Sequence, residues 1–354
     1  VTRRSFTLGK AVHRSKHKVF KAIFKAKLLK ILLRGVTMPK LAIISGFLGE
    51  VKNRYITYQE NRPLAEKMKM ASAVKNISGL EVCYPQDFVE PSQLKALLTQ
   101  YDLGVSAINF RSRRTGHWLR GSFSSQLESE RREVVADLKK AMDFAVELGC
   151  KRITTCPLNE GHDYLFEMDY NKAYDYMEET IGAAASYQPE VKICIEYKWN
   201  DPRARCLLGN AGETLAFCQR LGLPNVGVTL DIGHSIQAGE RPAQAAVMLA
   251  REKRLFYVHL NDNDKFWDWD MIPGAYNFLD FIEFFYYLRR LGYNDWFAYD
   301  VFSKEINTVE NFQVVTANTL KMMEISERLD DSTIEALLLK RNPAASMQYL
   351  FSIL

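Results

Sequence analysis

A glutamate and a lysine stand two positions apart at the end of an apolar run in the middle of the chain. The run from Val191 to Ile195 has the character of a buried β-strand, and Glu196 and Lys198 follow it. Because side chains two apart in a strand point to the same face, the carboxylate and the ammonium would lie side by side. The pair could be a salt bridge at the rim of a sheet or part of a reaction centre.

The next three strand-like runs end in side chains of similar chemistry. Asp231 and His234 follow the first of them, His259 lies at the end of the second, and Asp300 lies at the end of the third. Converging carboxylates would repel one another and raise their own pKa values, and a bound divalent cation removes that conflict. Taken singly, each residue could cap a helix or lie satisfied in the core. Together they predict one or two divalent metal ions, Mn²⁺ first, with Mg²⁺, Co²⁺ or Zn²⁺ as alternatives.

A further acidic pair lies in the segment Trp267–Asp270. Asp268 and Asp270 are two residues apart in a loop, where they could grip one cation together with Asp231 and His234. The alternative is a solvated acidic turn.

Short apolar strand patterns alternate with longer amphipathic helical patterns from Lys40 onward. The strand patterns are Leu41–Ser45, Leu80–Cys83, Val105–Phe110, Arg152–Cys156, Lys192–Tyr197, Val226–Asp231, Phe256–Leu260 and Trp296–Val301. Eight strands each followed by a helix indicate parallel pairing with right-handed crossovers. This count favours an α/β fold with one closed (β/α)8 TIM barrel over an open doubly wound sheet, and places an active site at the carboxyl ends of the strands.

Basic residues are concentrated at the start of the chain. Residues 1–37 hold eleven Lys or Arg and no acid, whereas residues 38–354 hold 36 basic and 42 acidic residues. We predict a basic appendage over 1–37, disordered or helical, a barrel over 38–330, and a helical tail over 331–354 that packs on the barrel or on a partner subunit. The acidic barrel argues against nucleic-acid binding.

The segment Val19–Leu33 is apolar and basic at roughly helical spacing. It could be a membrane-surface or targeting helix, or sequence upstream of a native start at Met38. No run of about 18 apolar residues predicts a transmembrane helix, and the six cysteines show no CxxC spacing. We therefore predict a cytoplasmic protein without disulfides, with targeting left open, that forms a dimer or tetramer.

The strand-end segments resemble the xylose isomerase-like barrels, which include xylose and rhamnose isomerases, ketose 3-epimerases and endonuclease IV. The segment from Glu196 to Arg203 reads Glu-Tyr-Lys-Trp-Asn-Asp-Pro-Arg and is similar to the Glu-Pro-Lys-Pro-Asn-Glu-Pro-Arg stretch of xylose isomerases. The segments around Asp231, His259, Asp268 and Asp300 follow in the same order. The resemblance is specific over residues 150–302 and only topological before them.

The resemblance implies a role for each matching residue. The first metal would be held by Glu196, Asp231, His259 and Asp300, and the second by Asp231, His234, Asp268 and Asp270. Lys198 would reach the carbonyl oxygen of the substrate. Phe47, His117 and Trp118 would form sugar-facing walls. His259 matches rhamnose isomerases, since many xylose isomerases have Asp there, and the catalytic His that the family carries near strand two has no counterpart.

The implied function is a divalent-metal-dependent isomerase of a small sugar, which moves hydrogen between adjacent carbons of an aldose and a ketose. Its catalytic residues would be Glu196, Lys198, His234 and Asp300. Ketose 3-epimerases pair two glutamates at the positions of Glu196 and Asp300. The shorter Asp300 and the charge of Lys198 favour isomerisation, with a ketose 3-epimerase or a sugar lyase or dehydratase as alternatives. A phosphorylated substrate would need a basic cluster. Four residues could form it, or could instead be solvated surface charges: Arg111, Arg113, Arg114 and Arg120.

Overall fold

A computed structural model describes residues 38–114 and 116–354, and in it eight parallel strands close into a barrel. The strands are β1 Lys40–Ile44, β2 Gly79–Tyr84, β3 Gly104–Phe110, β4 Arg152–Thr155, β5 Lys192–Glu196, β6 Val226–Asp231, β7 Leu255–Leu260 and β8 Trp296–Tyr299. Each strand pairs with its neighbours in sequence, and β1 pairs with β8 in parallel to complete the ring. The predicted (β/α)8 barrel is confirmed.

The helices lie between the strands and after the last one. They are α1 Leu64–Ala73, α2 Pro91–Gln100, α3 Glu128–Glu147, α4 Tyr170–Tyr187, α5 Ala211–Leu221, α6 Ile232–Gln237, α7 Pro242–Arg251, α8 Phe278–Arg290, α9 Thr308–Glu327, α10 Asp331–Lys340 and α11 Pro343–Ile353. Several helices begin at an N-capping side chain. Asp169, Asn210 and Asn307 accept backbone N–H groups in the first turns of α4, α5 and α9.

Alternation along the strands decides which side chains fill the barrel. Leu41 and Ile43 of β1 belong to the large core beneath the helices, whereas Ala42 and Ile44 belong to a second cluster. Besides Phe256, that cluster contains residues from the inward positions of six strands: Ala42, Ile44, Cys83, Ala107, Cys194, Tyr257 and Ala298. Because the side-chain period of a strand is two, the same parity carries the predicted acids and His259 to the inner face at the carboxyl end.

The segment 331–354 is helical and packs on the barrel. Arg289 of α8 pairs with Asp331 at 2.7 Å, and Nη1 of Arg328 donates to the carbonyl of Ile353 at 3.1 Å. The predicted appendage over 1–37 and the helix Val19–Leu33 within it lie outside the described residues. Within the ranges that the structure covers, no helix combines the length and apolar character that crossing a membrane requires.

Candidate active site

Four of the predicted strand-end side chains converge at the carboxyl end of the barrel. One potential ligand atom each from Glu196, Asp231, His259 and Asp300 lies within 4.8 Å of the others. Nδ1 of His259 is 3.1 Å from Oε1 of Glu196, and 3.9 Å from an oxygen of Asp231 and of Asp300. Glu196, Asp231 and His259 are buried, and Asp300 is half-buried. Three carboxylates and an imidazole in this arrangement have the composition of a divalent metal site.

The electrostatics of the four residues fit a cation. Burial raises the pKa of Asp231 to about 6, and repulsion from Glu196 adds to it although His234 opposes it. Burial, with repulsion from Glu196 and Asp231, raises the pKa of Asp300 to about 7. Burial alone would raise the pKa of Glu196 too, but His259 lowers it to about 2. Buried carboxyl groups whose pKa values are raised by one another have an excess of negative charge that a divalent ion would neutralise.

Glu81 orients His259, and the sequence analysis missed it. This fully buried residue of β2 places Oε2 2.9 Å from Nε2 of His259, and Nδ2 of Asn109 donates to its other oxygen at 2.6 Å. Because a carboxylate only accepts, Nε2 of His259 donates its hydrogen to Glu81. The ring is thereby held with Nδ1 toward the cluster, where it would serve as the ligand of a bound cation. The available signal was a single acid at an inward position of the apolar run Leu80–Cys83.

A row of charged side chains adjoins the cluster. Nζ of Lys198 lies 2.8 Å from Asp268 and 3.1 Å from Asp201. Asp268 lies 3.1 Å from Nε2 of His234, whose Nδ1 is 3.3 Å from Glu196. Burial alone would lower the pKa of Lys198, but Asp268 and Asp201 raise it well above its ordinary value. The lysine is therefore a buried cation beside the acid cluster.

The predicted second metal set is arranged differently. Among the described residues, Asp231, His234, Asp268 and Asp270 do not form a group with ligand atoms within 4.8 Å of one another. Asp268 is engaged by Lys198 and His234. Asp270 lies 3.3 Å from Nδ2 of Asn261, which also donates to Asp231 at 2.9 Å. A group that does meet the distance, and that the sequence analysis did not consider, is formed by Cys156, Glu196 and His234.

The predicted wall residues lie in two different places. Phe47, just after β1, packs against Phe302 beyond β8 with ring centroids 5.2 Å apart. His117 and Trp118 line a separate cavity of about 440 Å³ between the loop after β3 and the start of α4. As far as the structure describes its lining, that cavity contains none of the four clustered side chains. His117 pairs there with Glu133 at 2.9 Å.

Glu160 fixes the loop that follows β3. The buried carboxylate accepts the backbone N–H groups of Ser122, Phe123 and Ser124 at 2.7, 2.9 and 3.0 Å. Gly121 has a φ of +103°, and a Cβ there would lie 2.5 Å from Oε2 of Glu160. Glycine is therefore required at 121 both for the backbone conformation and for the close approach of the carboxylate.

Comparison with known proteins places this geometry in a family. The family model described as the xylose isomerase-like TIM barrel matches residues 75–324. This chain belongs to that family. The predicted membership of the xylose isomerase-like barrels is thereby confirmed.

Solved structures similar to this xylose isomerase-like barrel share its fold at low sequence identity. An L-ribulose 3-epimerase is 20% identical with a TM-score of 0.64, over 82% of this chain and 96% of its own. A D-psicose 3-epimerase from Clostridium cellulolyticum H10, solved with D-tagatose, is 16% identical with a TM-score of 0.60, over 81% and 98%. The IOLI protein with a bound zinc atom is 16% identical with a TM-score of 0.61, over 82% and 100%.

Proposed function

We propose that this xylose isomerase-like barrel is a divalent-metal-dependent sugar isomerase that interconverts an aldose and a ketose. The observation that carries the proposal is the buried ammonium of Lys198, linked through Asp268 and His234 to the acid cluster at Glu196. Sugar chemistry is supported by the two epimerases among the structural neighbours, and a bound metal by the zinc of the IOLI protein. The predicted cytoplasmic location and homo-oligomer stay predictions.

The metal would be held by Glu196, Asp231, His259 and Asp300, which between them offer carboxylate oxygens and one imidazole nitrogen. This mixed donor set suits Mn²⁺ and admits Mg²⁺, Co²⁺ or Zn²⁺. When bound, the metal supplies Lewis-acid stabilisation of negative charge on the sugar oxygens.

The residues of the chain supply the remaining requirements. An aldose and a ketose are isomers, so one hydrogen moves between C1 and C2, one proton moves between their oxygens, and no external oxidant or reductant is needed. The ammonium of Lys198 donates a hydrogen bond to the carbonyl oxygen as negative charge develops on it. Nε2 of His234 lies 3.1 Å from Asp268 and Nδ1 lies 3.3 Å from Glu196, so the imidazole positions Asp268, and through it Lys198, beside the acid cluster.

A ketose 3-epimerase is the second candidate function. The observation that favours it is the approach of Glu196 and Asp300, whose carboxylate oxygens lie within 4.8 Å of each other. Two acids on one site could remove a proton from one face of a carbon and return one to the other face. The cationic Lys198 is the feature that favours the isomerase.

A substrate panel tests the proposal. We expect the Mn²⁺-loaded protein, incubated with aldoses and ketoses, to equilibrate an aldose with its ketose, followed by NMR of the sugar carbons. The metal-stripped protein is the control. Conversion restricted to ketoses that differ at C3 would replace the isomerase by the epimerase, and conversion of no sugar would reject both.

Replacing Glu81 by Gln should weaken metal binding without removing a ligand. The amide offers His259 a weaker acceptor and turns an NH₂ group toward the donors Asn109 and Thr154. Loss of such a carboxylate partner costs about 10- to 100-fold in metal affinity. Competition with a fluorescent chelator measures the affinity, with the exposed Glu190→Gln as the matched control. Equal affinity in Glu81→Gln and wild type would contradict the orienting role.

A further inference from the structure

Two arginines continue the inner face of β3 toward the mouth of the barrel. Ala107 and Asn109 occupy inward positions of this strand, and Arg111 and Arg113 follow at the same spacing of two. Contacts fix the first of them, because Nη2 of Arg111 lies 3.5 Å from Sγ of Cys83, an inward residue of β2. Arg111 therefore lies in the same inner layer of side chains, and Arg113 follows it in the loop directly after the strand.

The turn after β1 leaves room for the guanidinium group of Arg111. A Cβ added to Gly46, in the turn after β1, would lie 3.1 Å from Nη2 of Arg111 and 3.4 Å from Sγ of Cys83. Any side chain at 46 would press on the guanidinium group, so glycine at this position and arginine at 111 fit each other.

Neither arginine has a close carboxylate partner among the residues that the structure describes. Within the described part of the chain, Arg111 and Arg113 form no ion pair, although both are half-buried. The next arginine in the loop differs, because Arg114 pairs with Asp137 and covers the ring of Trp118. Among the described residues, the two half-buried guanidinium groups are thus not neutralised by a paired acid.

The two arginines interact electrostatically with the acid cluster without forming ion pairs with it among the described residues. Burial lowers the pKa of Arg113, and the positive charge of Arg111 adds to this, whereas Asp300 and Glu196 oppose it. Burial alone would lower the pKa of Arg111, but Cys83, Asp300 and other acids raise it. The arginines are therefore close enough to be influenced by the charge of the cluster, but in the described part of the chain they do not pair with its acids. Planar guanidinium forks are matched to the oxygens of phosphoryl, sulfonyl and carboxyl groups.

We propose that Arg111 and Arg113 form a subsite that binds an anionic group of the sugar substrate. A phosphoryl group is the anion we expect there. This inference rests on the proposed sugar isomerase function. In the eight-strand ring β3 lies opposite β7, the strand of His259. A small sugar phosphate would therefore place its reacting carbons at the acid cluster and its charged end at the arginines.

Kinetics with matched substrates test the subsite. The substrates are a neutral aldose, its terminal phosphate ester and the corresponding uronic acid. The proteins are wild type, Arg113→Gln, Arg111→Gln with Arg113→Gln, and Arg120→Gln, which removes an exposed arginine of the same loop.

We expect wild type and Arg120→Gln to prefer the phosphate ester at least tenfold in kcat/KM. Arg113→Gln should lose that preference through KM, with the neutral aldose changed less than threefold. Preference for the uronic acid would keep the subsite and identify a carboxylate as its ligand. If the arginines only balance the charge of the acids, Arg113→Gln should lower kcat/KM for all three substrates alike. That result, or a preference of wild type for the neutral aldose, would overturn the subsite.

Calorimetric titration of inorganic sulfate into the Mn²⁺-loaded proteins separates this inference from the function on which it rests. Sulfate binding that weakens at least tenfold in Arg113→Gln, and is kept in Arg120→Gln, supports the subsite even if no sugar is converted. Equal or absent sulfate binding in all variants overturns the subsite even if aldoses are isomerised. Thermal melts show that each variant is folded, and Arg113→Lys, which keeps the charge but loses the fork, should bind with intermediate affinity.

Discussion

Replacing Glu196 by Gln is expected to remove most of the bound metal and about a thousandfold of the turnover, since Lewis-acid stabilisation worth several kcal/mol is lost with the ion. Glu196 is the acid at the centre of the site, 3.1 Å from His259 and 3.3 Å from His234. The amide keeps the shape of the side chain but removes the charge that balances a cation. Elemental analysis after Mn²⁺ reconstitution, together with kcat/KM, measures both effects.

Glu190→Gln is the matched control for this experiment. Glu190 is an exposed residue just before β5 that pairs with Lys151, so its substitution removes the same charge away from the site. We expect Glu190→Gln to keep metal and turnover. A full equivalent of metal and unchanged turnover in Glu196→Gln would refute the metal site.

Replacing Lys198 by Met should lower kcat by about 10²- to 10³-fold, the usual effect of losing one donor to developing negative charge. The metal should stay bound, because Lys198 offers no ligand to the ion. Its partner Asp268 would keep only His234 as a charged neighbour. The loss of stability should therefore be smaller than the about 3–5 kcal/mol that a fully unpaired buried charge costs. Activity, metal content and thermal unfolding should therefore be measured on the same samples.

Combining Lys198→Met with Asp268→Asn separates stability from catalysis. The double variant removes both charges of the ion pair, so we expect the free energy of unfolding to recover while kcat stays low. A kcat that recovers with stability would show that Lys198 acts only as a structural partner. Near-normal interconversion by Lys198→Met of two ketoses that differ only at C3 would instead favour the epimerase, in which Glu196 and Asp300 act as the bases.

Much of the site was predictable because a barrel imposes a strict geometry on strand ends. Glu196, Asp231, His259 and Asp300 follow four successive strands, and parallel strands in a closed ring bring their carboxyl ends to one rim. Tertiary packing was not needed to infer that they meet. Asp231 also shows that a residue can cap a helix and belong to the acid cluster at the same time, since it accepts the backbone N–H of His234 in α6 at 2.8 Å.

Other residues depended on information that the strand pattern does not contain. Glu81 was not predicted because its apolar neighbours indicate only a buried strand. Its position two residues before the inward Cys83 places it on the inner face of the barrel. His117 and Trp118 lie beyond the regular strand, in a loop where Gly116 and Trp118 both have a positive φ. Such left-handed residues turn the chain in directions that side-chain spacing cannot forecast, and here the loop leads both rings to a separate cavity.

The carboxylate of Glu160 gives the loop after β3 a property that matters for recognition. By accepting three consecutive amides, it anchors residues 122–124, so the cost of ordering this end of the loop is met when the protein folds. A ligand arriving there would encounter a surface that is already shaped. Selectivity would then come from preorganisation, with little entropy lost on association and no need for a closing movement.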